Sequence, residues 1–194
     1  MRYPQGLRAF LMRSPVLRTG LRVLEAGCGT GALTFAVREA CARRGLDLRA
    51  FHAFDLTPAM LAVLRERLRR HDVHGIELAE GDVLRPESLP PAWRDYDLVV
   101  SASMLEYVPR PRFVNALEAL RSRLAPDGSF LLFITRRNPL TRVLVGRWWA
   151  SNLYTRTELA DAFARARFSH VAFRRFPATA FHLAPWGHVV EART

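Results

Sequence analysis

The sequence predicts a doubly wound α/β fold, and three observations lead there. Short apolar runs alternate with segments of helical period, the pattern of parallel βαβ units with helices on both faces of a sheet. The first run ends in a cluster of glycines that a helical segment follows directly. The run Asp97–Ala102 is apolar through its centre, as a strand covered on both faces must be.

Each element has its own signal. Leu7–Leu17 is expected to form one helix, up to the Ser14-Pro15 break. Leu21–Ala26 is the first strand. Residues 31–44 carry Leu33, Val37, Ala40 and Cys41 on one stripe and are expected to be helical. Arg49–Phe54 is the second strand. Thr57-Pro58 then provides an N-cap and a first-turn proline for a helix through Arg70, with Met60, Leu61, Leu64 and Leu68 as its stripe. Gly75–Ala79 is a weaker third strand and Asp97–Ala102 the fourth. Pro111–Leu124 is expected to be a helix closed by the turn Pro126-Asp127-Gly128, and Ser129–Thr135 the fifth strand. Thr155 and Glu158 form a capping pair for a helix to Arg165. Phe168–Phe176 and His188–Ala192 are the last two strands. No repeat or Gly/Ser linker interrupts the chain, so 1–194 is expected to form a single domain, with 1–20 as an N-terminal helical cap and 136–154 as an insert on the substrate side.

Composition narrows the class. The chain has 194 residues, 49% hydrophobic and 24% charged, an ordinary globular balance that excludes disordered and fibrous classes. It has no apolar run of membrane-span length and no secretory h-region, and its two cysteines cannot build a disulfide framework, so a reduced, cytoplasmic setting is expected. The net charge is +11, carried by 29 arginines and no lysine. That usage reads as a coding bias ahead of a nucleic-acid surface, and nucleic acid is not expected as a partner. The excess is segregated: residues 1–22 sum to +5, 23–128 to −1 and 129–194 to +7. If the ends fold over one face, that face is positive.

The stretch Val23-Leu24-Glu25-Ala26-Gly27-Cys28-Gly29-Thr30-Gly31 holds the strongest functional signal. Glycines between a strand and a helix permit a tight turn and close approach of backbone to a ligand, and the helix start adds free N–H groups. Asp55 ends the second strand, where a carboxylate can accept both hydroxyls of a ribose. Asp82, in Gly81-Asp82-Val83, can accept from an adenine amino group. On these residues alone a nicotinamide-dependent oxidoreductase stays open, as does a cofactor-fold module without catalysis.

Together the motifs resemble the class I S-adenosylmethionine-dependent methyltransferases, from about Leu21 to Thr135. VLEAGCGTG is close to that family's first motif. FDLTPAML looks like its second with Thr for Ser, EGDV is similar to its third, YDLVVS to its fourth, and LAPDGSF to its L-x-P-G-G turn with Asp for the first Gly. The resemblance implies a Rossmann-like sheet with an antiparallel last strand. It implies S-adenosylmethionine as cofactor, S-adenosylhomocysteine as product, and a small-molecule acceptor. It has Gly27, Gly29 and Gly31 line the methionine part, with Cys28 in the cofactor set, Glu25 orient the cofactor through its amino group or the loop, Asp55 hold the ribose, Leu56 or Met60 pack on the adenine, and Asp82 and Val83 read its edge. Ser101 belongs to the cofactor set through the fourth motif.

Methyl transfer from a sulfonium is an in-line displacement that needs positioning and desolvation more than a nucleophile. Ser103, Met104, Glu106 and Tyr107 follow the fourth strand, and Glu106 and Tyr107 are the candidates to orient the acceptor or take its proton. No metal is expected, because SASMLEY holds no carboxylate pair at ligand spacing. The segment from Arg136 to Tyr154 joins Arg136, Arg137, Arg142 and Arg147 to Trp148 and Trp149. Three readings stand beside one another: a lid for an anionic or lipid-like acceptor, peripheral contact with a membrane surface, and a packed cap.

Overall fold

The structure, a computed structural model, describes residues 3–139, 141 and 151–194. One seven-stranded sheet organises them: β1 (Leu21–Ala26), β2 (Leu48–Asp55), β3 (Ile76–Glu80), β4 (Tyr96–Ala102), β5 (Leu124–Thr135), β6 (His170–Arg174) and β7 (Gly187–Arg193), in the order β3-β2-β1-β4-β5-β7-β6. β7 runs antiparallel to both its neighbours, and the remaining pairings are parallel. The order reverses between β1 and β4, which opens a crevice at the carboxyl ends of those strands.

Helices cover both faces, as the right-handed crossover rule requires. On one face α1 (Tyr3–Leu11), α2 (Ala32–Arg44) and α3 (Pro58–Arg70) pack against the sheet. There Leu7, Leu11 and Val37 meet Val23, Phe51, Val100 and Phe133, and Leu61 and Leu64 meet Ala53. On the other face α4 (Phe113–Arg121) and α5 (Arg156–Arg165) bring Phe113, Leu117, Leu159 and Phe163 onto Leu24, Val99, Phe130 and Leu132. β1 and β4 are buried along almost their whole length, so their sequences run apolar rather than alternating.

Four elements differ from expectation. α1 starts and ends earlier than Leu7–Leu17, because the chain beyond Leu11 is held in another shape. The Arg44 guanidinium donates to the carbonyls of Leu11, Ser14 and Leu17 at 3.2, 2.9 and 2.8 Å. α4 is shorter than Pro111–Leu124, with a 3₁₀ turn over Arg110–Arg112 taking up its start. β5 begins at Leu124, which already pairs with Tyr96, so Pro126-Asp127-Gly128 is a bulge inside the strand and not a turn before it. Asp127 there has φ 63°, and a Cβ on Gly128 would lie 2.8 Å from the Ala125 carbonyl and 2.9 Å from that of Tyr96. β6 covers only the centre of the expected 168–176 run. The capping box of α5 is present as expected: Thr155 Oγ1 accepts from Glu158 N and the Glu158 carboxylate accepts from Thr155 N at 2.7 Å.

Arg44→Met removes three charge-assisted bonds to carbonyls and keeps the aliphatic stem. Urea unfolding is expected to show a loss of about 2 kcal/mol, and limited proteolysis should cut first between α1 and β1. An unchanged midpoint would show that packing of α1 alone holds this segment.

Candidate active site

The glycine loop adopts the conformation that its residue types require. Gly27, Gly29 and Gly31 have φ of 71°, 51° and 96°, a region that side chains with a Cβ resist. Each has a further reason. A Cβ on Gly27 would overlap Met104, and one on Gly31 would lie 2.5 Å from Leu64 Cδ1. At Gly29 the space is open, so its bare backbone faces the crevice. The loop is tied to β2, because Gly27 N and Cys28 N both donate to the Phe54 carbonyl, at 2.9 and 3.0 Å.

Asp55 holds the loop and the start of α3 together. Its Oδ2 accepts from Gly29 N at 2.7 Å and its Oδ1 from Thr57 N at 2.9 Å. Thr57 occupies the N-cap position, yet its hydroxyl makes no capping bond; the Asp55 carboxylate fixes the backbone there by taking the Thr57 amide. Each carboxylate oxygen keeps a further lone pair for a ligand.

These elements enclose a cavity of about 530 Å³ at the β1/β4 crevice, within the range of cofactor sites. Glu25, Gly27, Cys28, Gly29, Asp55, Leu56, Met60, Asp82, Val83 and Tyr107 of the expected set line it. Leu56 and Met60 present apolar surface there, 59% and 42% exposed. Asp82 lies on the wall with its carboxylate in a local turn, accepting from Leu84 N at 2.8 Å and Arg85 Nε at 3.1 Å. Burial pushes the Cys28 thiol up, leaving it a protonated wall residue. Gly31 supports the wall from behind without lining it.

Two expected residues stand elsewhere. Ser101 is fully buried and its hydroxyl donates to the Ala26 carbonyl at 2.9 Å, stitching β4 to β1 below the cavity. Glu106, expected to face the acceptor, turns inward. It is 3% exposed, its Oε2 accepts from Thr135 N at 3.0 Å, and its carbonyl accepts from Asn152 N at 2.7 Å. It does not line the cavity, so its place is that of a positioning residue at the end of β5. Of the expected lid, Leu140 and residues 142–150 lie outside the described residues.

Tyr3 is one of the wall residues that the sequence reading did not name. Tyr3, on α1, lines the cavity, and its hydroxyl lies 3.0 Å from Ser103 Oγ, where Ser103 has φ 55°. Burial, opposed by the Ser103 hydrogen bond and helped by Glu106, raises the phenol to about 12. The signal was present in the sequence: Tyr3, Leu7, Phe10 and Leu11 share one helical face. With Tyr107 and Met104, Tyr3 and Ser103 line the cavity beside the tip of β4, two strands from the Leu56 that follows β2.

Glu25 is 1% exposed, and its Oε2 accepts from Thr34 Oγ1 at 2.7 Å. Burial, against the Thr34 hydrogen bonds and with the Asp55 charge adding, raises its carboxyl to about 8. A buried, lightly partnered carboxyl lining a cavity is suited to a cationic ligand group.

The fold and this cavity define a Rossmann-like domain built for a nucleoside cofactor. The family model described as "methyltransferase domain" matches residues 23–128, more than half of the chain. The chain belongs to this family, the class I S-adenosylmethionine-dependent methyltransferases that its motifs resemble. It is 31% identical over 147 residues to the magnesium-protoporphyrin O-methyltransferase of Rhodobacter capsulatus, covering 76% of this chain and 58% of that protein. It is 32% identical over 120 residues to a ubiquinone biosynthesis O-methyltransferase of Acinetobacter baumannii, covering 62% and 46%. The chain thus spans about half the length of the curated relatives it matches. Among solved structures, an O-methyltransferase family protein from Burkholderia thailandensis aligns with TM-score 0.77 at 16% identity, over 100% of this chain and 57% of that one. PigF with SAH aligns with TM-score 0.76 at 21% identity, over 97% and 54%. At those identities the likeness is one of fold.

The protonated Glu25 is favoured in the folded state, so its stabilising effect is complete below about pH 4.5 and is lost as pH rises through about 8. Chemical denaturation across that window should show the unfolding free energy of the wild type falling relative to Glu25→Gln. Parallel curves would mean that Glu25 ionises in the folded protein as readily as in the unfolded chain.

Proposed function

We propose that this domain binds S-adenosylmethionine in the β1/β4 cavity and transfers its methyl group to a small-molecule acceptor. The observation that carries the reading is the open backbone at Gly29, hydrogen-bonded to Asp55, at the lip of a cavity of about 530 Å³. The residues suit the cofactor's parts. Glu25 offers a buried carboxyl to an amino group, Asp55 keeps acceptor capacity for ribose hydroxyls, and Leu56 and Met60 offer apolar surface to an adenine face. Asp82 and Val83 flank its edge. When bound, the cofactor supplies a methyl group made electrophilic by its sulfonium.

The chain's own work is placement and exclusion of water. Tyr3, Ser103, Met104 and Tyr107 wall the end where an acceptor would enter. Tyr107 is 56% exposed at the rim, its phenol raised by burial and then by Glu106, so it serves as a hydrogen-bonding and stacking surface. With Glu106 turned inward, an acceptor hydroxyl acid enough to ionise unaided fits the site best. The curated relatives named above are O-methyltransferases, which supports an oxygen acceptor.

Calorimetric titration with S-adenosylmethionine, S-adenosylhomocysteine and NAD tests the cofactor. Both sulfur compounds are expected to bind and NAD not to, with Asp55→Ala weakening binding at least tenfold. Binding of NAD alone would overturn the reading. At pH 7 the cofactor's ammonium should favour the ionised Glu25, whose proton is released to the buffer, so the measured heat should vary with the ionisation enthalpy of the buffer. Glu25→Gln should lack that dependence. Methyl transfer is then checked with a labelled donor over phenolic and enolic acceptors, and Tyr3→Phe is expected to raise KM for the acceptor while leaving cofactor binding intact.

A further inference from the structure

A second hollow, of about 380 Å³, opens where β5 and β6 end and β7 begins. It lies two strands from the tip of β4, about 10 Å across the sheet, and shares no lining residue with the cofactor cavity.

Its charge is one-sided. Arg136, Arg156, Arg174 and Arg175 line it, and among the described residues no carboxylate does. Arg174 is matched by the buried Glu191 at 2.8 Å. Among the described residues, no carboxylate lies within ion-pair distance of Arg136, Arg156 or Arg175. The Nε2 of His188 is buried with no hydrogen-bond partner among the described residues. Burial and then the Arg136 charge hold that imidazole below its usual value, with the Tyr154 backbone opposing and Arg156 adding, so it stays neutral beside the cations.

Its walls are aromatic. The Arg156 guanidinium lies 4.5 Å from the centroid of Phe173, which meets His188 edge to face at 5.9 Å. Phe181 stands at the rim 70% exposed. Guanidiniums lining one hollow match a carboxylate fork, and ring faces match a flat apolar body.

We propose that this hollow binds an aromatic carboxylic acid, its carboxylate between Arg136 and Arg156 and its ring against Phe173 and Phe181. A bare oxyanion would leave the rings uncovered, and an uncharged aromatic would leave the cations unanswered.

The test is a titration of the full chain, labelled at its histidine rings, with benzoate, benzamide and inorganic phosphate. The His188 signals are identified by their absence in His188→Gln. Benzoate is expected to move them to saturation, with benzamide and phosphate each at least tenfold weaker. Arg136→Gln and Arg156→Gln should each weaken benzoate about tenfold, while the signals of the other histidines report an intact fold. Benzamide binding as well as benzoate would overturn the charge argument, and phosphate binding as well as benzoate would overturn the aromatic one. Wild-type affinity in both arginine variants would overturn the site.

Discussion

The carboxylate of Asp55 is the contact on which the cavity depends. One oxygen takes the Gly29 amide and the other the Thr57 amide, so a single side chain fixes the glycine loop, the end of β2 and the start of α3. The loop would otherwise have three left-handed glycines in five residues, a stretch with more freedom to lose on ordering than any other of its length. Anchoring by a charged acceptor, together with the two amides bound to the Phe54 carbonyl, gives it one shape. The open face at Gly29 follows from that shape.

Residues that answer a backbone demand were legible in the sequence. The glycine run, the first-turn proline of α3 and the capping box of α5 state local geometry, and each stands where its chemistry placed it. So did the sheet, since runs buried on both faces must be continuous and apolar. What was not legible depends on direction in space. Glu106 and Tyr107 are neighbours, and nothing in their order says that one turns under β5 while the other faces the cavity. Ser101 reads as part of a strand motif, and only the pairing of Ala26 with it turns its hydroxyl into a cross-strand tie.

The same limit explains the boundaries. Pro126-Asp127-Gly128 has turn chemistry, but Leu124 has already joined β4 and the strand continues in the same direction from Ser129, which makes the segment a bulge. α1 lost its expected second half to Arg44, a residue on another helix. Long-range polar contacts of this kind leave no periodic trace in the segment that they shape.

The bulge has a consequence for motion. At the amino edge of the sheet, Thr194 N bonds the Gly128 carbonyl, Thr194 Oγ1 reaches the Ala125 carbonyl, and Ser169 Oγ bonds the Thr194 carbonyl. β5, β6 and β7 are thereby fastened at the end remote from the cavity. The cavity's rim instead includes the 3₁₀ turn that holds Tyr107, Val108 and Pro109 after it, and Tyr3 of α1. Opening at the rim leaves the strand ladders intact, whereas opening the fastened edge breaks the sheet. Amide protons around Ser103–Pro109 should exchange through small local excursions, and those of central β5 only through global unfolding. The fold breathes at the end where a ligand must enter and stays closed at the other.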